Sequence, residues 1–170
     1  MKTLYLLRHA KAEPGGKELN DMDRMLSLRG HEACAQVGIY IKTRRYAPSL
    51  VLSSPSVRTK ETSELVMQAA NIPVSCQIEN TLYLATADEI LQVIQKTNDT
   101  LPSVMVVGHN PGMHHVALLL SRASQTLLRE MLELKYPTGS LSVIEFKSNH
   151  WQDIVPGNGE LVDFITPGQL

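Results

Sequence analysis

The run Ser103-Val104-Met105-Val106-Val107 is apolar and largely β-branched without interruption, and it ends abruptly in Gly108-His109-Asn110-Pro111-Gly112. Apolar residues at every position, rather than at alternate ones, predict a strand covered on both faces, and such strands belong to parallel sheets flanked by helices. Leu4-Tyr5-Leu6-Leu7 repeats the pattern and leads directly into Arg8-His9. Leu50-Val51-Leu52 repeats it in miniature before the turn-forming Ser53-Ser54-Pro55.

Helical spacing fills the intervals. Ser27 is a candidate N-cap for a helix from Leu28 to about Thr43, with Leu28, His31, Ala35 and Ile39 as its recurring stripe. Ser54 at an N-cap and Pro55 at the first helical position predict a second helix through Val57, Thr62, Leu65, Val66 and Ala69, with Arg58 in its opening turn. Pro73 to Ile78 alternates as an edge strand. Thr86 or Asp88 caps a third helix whose stripe is Ile90, Leu91, Val93 and Ile94; helical patterns also span Met113 to Leu120 and Thr126 to Leu132. Tyr136-Pro137-Thr138-Gly139 is a turn and Leu141 to Phe146 a strand. Ser148-Asn149-His150 is expected to fold a partner strand back from near Trp151, and the tail from Gly157 is expected to be coil with at most one short strand. Strands alternating with helices predict an α/β fold: a three-layer α/β/α sandwich, its central sheet mainly parallel with antiparallel strands near the C-terminus.

A chain of 170 residues, 43% of them hydrophobic and 19% charged, suits one domain over 1–170. A formal net charge of −1 argues against nucleic acid as a partner. No segment approaches the roughly 20 apolar residues that span a bilayer, and the N-terminal apolar run is broken by Arg8 and His9 too early for a signal core. A cytoplasmic monomer is the expectation. Cys34, on a helix, and Cys76, on a buried strand, are read as reduced core residues. His31 and His150 are read as structural. His114 and His115 are adjacent on a helix and face apart, so no metal site is expected.

The chemistry lies just past the ends of the strands. Arg8 and His9, Arg58, and His109 each come a few residues after a predicted parallel strand, so all four side chains can meet in the crevice beyond the carboxyl ends, where open α/β sheets bind ligands. Imidazole is a nucleophile and proton carrier near neutral pH, and arginine presents a planar fork to phosphate oxygens. At about 4 Å and an effective dielectric near 20, each unit-charge contact carries a Coulomb term of order 4 kcal/mol before desolvation. Two arginines therefore match a phosphoryl dianion better than a carboxylate. Lys11 and Asn110 are placed to reach the same anion. Arg58 could instead lie on a solvated helix face, paired with Glu61 or Glu64.

With these residues in view, the chain resembles the histidine phosphatase superfamily, the phosphoglycerate mutase-like fold. The likeness rests on Leu7-Arg8-His9-Ala10, on Ser53-Ser54-Pro55 with Arg58 and Thr62, and on Gly108-His109-Asn110-Pro111. Asp23-Arg24-Met25-Leu26-Ser27-Leu28-Arg29-Gly30 and Tyr136-Pro137-Thr138-Gly139 make it similar to the small SixA-like phosphohistidine phosphatases. The resemblance implies His9 as the nucleophile that becomes phosphohistidine, with Arg8, Arg58, His109 and Asn110 as the phosphate pocket. It implies no metal or cofactor, a domain without a cap insertion, and a phosphorylated protein such as a histidine phosphotransfer domain of a signalling relay as the partner. Ala10 stands where the larger members have glycine. Glu79, Asp88 and Glu89 are the only carboxylates where those members carry a general acid, which leaves the acid unassigned. An imidazole leaving group needs such an acid less than an alkoxide does. The alternatives are a phosphatase for small phosphate monoesters and a phosphate-binding module without turnover.

Overall fold

The computed structural model describes residues 1–170. Six strands form one sheet: β1 (Lys2–Arg8), β2 (Val51–Ser53), β3 (Cys76–Ile78), β4 (Ser103–Gly108), β5 (Leu141–Phe146) and β6 (Glu160–Ile165). Their order is β3-β2-β4-β1-β5-β6. The pairs β1 with β4, β4 with β2 and β2 with β3 are parallel, whereas β5 runs antiparallel to both β1 and β6.

The apolar runs behave as their patterning requires. Leu4, Leu6, Val104 and Val106 enter one core, packed against α3 (Ala87–Gln95), α4 (Gly112–Leu120) and α5 (Leu127–Leu134). Tyr5, Leu7, Met105 and Val107 enter the other, beneath α1 (Leu28–Arg44) and α2 (Val57–Ala70). A strand with both faces buried thus divides two cores, and the three layers result. No helix is long and apolar enough to cross a membrane.

Several expectations are corrected. The buried face of α1 is Gly30, Cys34, Val37, Gly38 and Ile41, while Leu28 and Ile39 are exposed. Close approach outweighs side-chain size here: a Cβ on Gly38 would lie 2.4 Å from the Ala69 methyl of α2, and one on Gly30 would lie 2.1 Å from the Lys11 carbonyl. The N-cap of α2 is Ser56, whose hydroxyl accepts from the Thr59 amide, not Ser54. Trp151 opens a short 3-10 turn rather than a strand; its ring is wholly buried, and its indole N–H donates to the Leu101 carbonyl at 2.9 Å. The antiparallel partner of β5 is instead β6, in the stretch expected to be mainly coil. Cys76 is half-buried on the edge strand β3 rather than in the core, while Cys34 is buried in the core as expected.

Candidate active site

β1, β4 and β2 are neighbours in the sheet and parallel, so their C-terminal ends open on one side. There a cleft of about 320 Å³ is lined by Arg8, His9, Arg58, His109 and Asn110, together with Asp21 and Arg24 from the long loop after β1. The structure brings together every residue assigned to the phosphate pocket from sequence. It does not bring Glu79, Asp88 or Glu89 into the cleft. Glu79 accepts from the Thr81 hydroxyl, Glu89 closes a capping box with Thr86 at the start of α3, and Asp88 is exposed beside it.

His9 follows the last residue of β1 and is buried. Its Nδ1 lies 2.8 Å from the Ala10 carbonyl. A carbonyl only accepts, so Nδ1 carries the proton and Nε2 keeps its lone pair. The backbone around it is tied on each side: the His9 amide donates to the Gly108 carbonyl, the Gly139 amide donates to the His9 carbonyl, and the Ala10 amide donates to the Thr62 hydroxyl at 3.0 Å. Ala10 is not in the left-handed region, so glycine is not required there. Gly139 is, with φ of 76°, and a Cβ on it would meet Pro167 at 2.7 Å. Burial, followed by the charges of Arg58 and Arg8, lowers the His9 pKa to about 4.

His109 is held on both nitrogens. Nε2 lies 2.7 Å from the Ser54 hydroxyl and Nδ1 lies 3.3 Å from Nη2 of Arg58. Arginine can only donate, so Nδ1 accepts and the ring proton sits on Nε2, donated to Ser54. Burial first, then the fields of His9 and Arg58, lowers the His109 pKa to about 3. The two imidazoles face each other with centroids 5.4 Å apart.

Arg58 is buried in the opening turn of α2, and its partner is neither Glu61 nor Glu64. It donates to Asp21, through Nη1 to the backbone carbonyl at 2.7 Å and through Nη2 to Oδ2 at 3.0 Å. Asp21 also accepts from Arg24 at 3.1 Å and from the Tyr83 hydroxyl. The Tyr83 hydrogen bond foremost, reinforced by those two arginines, holds the Asp21 carboxyl far below the usual carboxylate range. Arg8 donates to the Tyr136 carbonyl at 2.9 Å, and so does the Asn110 side-chain amide. The Nε atoms of both Arg8 and Arg58 are buried with no acceptor in the protein. Buried arginine N–H groups without acceptors, beside an imidazole lone pair, suit an anion with several oxygens.

Sequence reasoning does not single out Asp21 or Tyr83. Asp21 lies in a polar loop without periodicity. The available signal is its nearness to the Asp23–Gly30 stretch that carries the SixA-like resemblance.

Residues 4–82 match the family described as the histidine phosphatase superfamily (branch 1). An uncharacterized protein of Mycobacterium tuberculosis is 30% identical over 164 residues, covering 95% of this chain and 99% of that protein. A SixA protein from Agrobacterium tumefaciens, provisionally assigned as a phosphohistidine phosphatase, superposes with a TM-score of 0.80 at 30% identity, over 98% of each chain. A protein histidine phosphatase SixA complexed with tungstate superposes with a TM-score of 0.79 at 20% identity, over 98% of each chain, which is a likeness of fold.

Proposed function

Because this chain belongs to the histidine phosphatase superfamily, we propose that it is a phosphohistidine phosphatase. It acts on a phosphorylated protein, such as a histidine phosphotransfer domain in a signalling relay of the cytoplasm. The whole of 1–170 serves as one catalytic domain without a cap, a reading supported by the short connection, residues 79–86 alone, between β3 and α3.

The observation that carries the reading is the tautomer of His9: Nδ1–H is committed to the Ala10 carbonyl, so Nε2 offers its lone pair to a cleft lined by Arg8 and Arg58. In the first half-reaction Nε2 attacks phosphorus and the substrate's P–N bond breaks. A substrate imidazole already protonated on its second nitrogen departs neutral. His9, protonated on Nδ1, becomes the matching phosphoimidazolium, so the phosphoryl group passes between two like carriers and no outside proton is consumed. In the second half-reaction water attacks phosphorus, the P–Nε2 bond breaks, phosphate leaves with the water's protons, and His9 regains its neutral tautomer.

Arg8 and Arg58 spread the charge of the moving group, an effect worth roughly 10³ to 10⁵ in rate for an arginine in phosphoryl transfer. His109, with Nδ1 accepting from Arg58 and Nε2–H donated to Ser54, stays neutral and steadies Arg58 beside the phosphoryl group. Asp21 is ionised and is therefore a poor general acid; its part is to hold Arg58. A site short of an acid suits a leaving group that needs none, which favours phosphohistidine over phosphate monoesters.

The test is intact-mass analysis after brief mixing with phosphoramidate. An acid-labile phosphoryl adduct is expected, accumulating in His109→Ala and absent in His9→Ala. Competition between a phosphohistidine peptide and p-nitrophenyl phosphate should favour the peptide. Phosphate release that survives His9→Ala would refute the assignment.

A further inference from the structure

A second groove, of about 470 Å³, adjoins the cleft, and Lys11 and Thr138 line both. One wall is the first two turns of α1, where Arg29, Glu32, Ala33 and Gln36 recur at helical spacing on one face. The rest of the lining comes from Lys135 at the end of α5, Pro137 and Thr138 of the turn before β5, and Thr166, Pro167 and Gly168. Polar side chains share the groove with Ala33, Pro137 and Pro167. Its cations are Lys11, Arg29 and Lys135, all exposed, and Glu32 is its one acid.

Only four of the molecule's sixteen lysines and arginines lie within ion-pairing distance of a carboxylate, and the groove's three cations are not among them. Arg24, Arg44, Arg58 and Arg129 each have a carboxylate within ion-pairing distance. Lys11, Arg29 and Lys135 have none, and their side chains make no hydrogen bond. The walls are nonetheless fixed. The Ser27 amide and hydroxyl both donate to the Lys11 carbonyl, at 2.9 and 3.0 Å, and the 136–139 turn is the one that receives Arg8 and donates to His9. A rigid trough of unpaired positive charge opening into the catalytic cleft has the character of a recognition surface.

We propose that this groove binds an acidic segment of the phosphorylated protein, next to its phosphohistidine, and so selects substrates by charge. The proposal rests on the phosphohistidine reading above for its substrate. An extended chain of five residues reaches about 17 Å, enough for a flanking segment to leave the cleft and enter the groove. Recognition by exposed cations acts mainly on association and is screened by salt.

The experiment uses 11-residue peptides with one central phosphohistidine flanked on both sides by Glu, by Gln or by Lys. At low ionic strength kcat/KM is expected to rank Glu over Gln over Lys, with about tenfold between the first two, and the ranking should collapse in 0.5 M NaCl. R29Q/K135Q should erase the preference and R29E/K135E should invert it, with turnover of phosphoimidazole held within twofold. Equal kcat/KM for the Glu and Gln peptides, or a Glu preference that persists in R29E/K135E, would overturn the proposal. If no peptide releases phosphate, the phosphohistidine reading fails instead. Fluorescence anisotropy of the unphosphorylated Glu peptide then decides the groove: weaker binding to R29E/K135E supports it, and equal binding sinks it.

Discussion

Lowering the pH from 8 to 5 should destabilise this protein chiefly through two imidazoles that are buried neutral. In the unfolded chain His9 and His109 titrate near 6.5; in the fold their pKa values are about 4 and about 3. A histidine whose folded pKa is depressed adds stability that is fully present above the unfolded value and is lost as pH falls through the folded one. Between about pH 6.5 and 4 the unfolded state therefore binds the extra protons, and stability should rise with pH throughout that window. At pH 5 an unfolded histidine is almost fully charged while these two remain mostly neutral, so each costs about 2 kcal/mol relative to pH 8, and the pair about 4 kcal/mol. The assay is urea unfolding monitored by the fluorescence of Trp151, the only tryptophan and wholly buried. H9N/H109Q should lose that part of the pH dependence while other groups cancel in the comparison. Imidazole titration by NMR should find both rings neutral at pH 5. Wild type and double variant differing by under about 1 kcal/mol between pH 8 and 5 would refute the account of why these rings stay uncharged.

Ser54→Ala removes the acceptor of the His109 Nε2 proton in a buried site, so a loss of about 1 to 3 kcal/mol in urea unfolding is expected, with a fall in kcat and a shifted His109 tautomer by ¹⁵N NMR. Asp21→Asn removes the carboxylate partner of the buried Arg58; kcat should drop about tenfold and the melting temperature should fall, as measured by steady-state phosphate release and calorimetry. Gly139→Ala puts a side chain at φ of 76° and against Pro167. It should cost about 2 kcal/mol or more in urea unfolding and lower activity by loosening the His9 carbonyl.

The residues that chemistry demands are easier to read than the ones that hold them. β1 and β4 are legible because both faces are buried, so neither strand has a polar alternate position to blur it. His9, Arg58 and His109 follow from where the parallel strands end. β6 is obscured because its pairing with β5 shifts register between Val143 and Ile144, which breaks the strict alternation of Glu160–Ile165. The stripe of α1 is misleading because two glycines, silent in any hydrophobicity pattern, decide which face is buried: Gly38 lets it approach α2 and Gly30 lets it approach the Lys11 carbonyl. Ser54 resembles a cap because Ser-Pro is a local signal; its real partner, His109, is 55 positions away. Asp21 and Tyr83 share that difficulty, since the bond joining them spans 62 positions.

The sheet order has a consequence for how the molecule is made. β4 must insert between β1 and β2 before His109 can stand opposite His9, and Arg8 and Asn110 both wait on the carbonyl of Tyr136. A chain still on the ribosome and ending short of Tyr136 would hold His9 without the carbonyl that anchors both Arg8 and Asn110. At roughly 5 to 20 residues per second, seconds of synthesis separate His9 from the carbonyl that completes its surroundings.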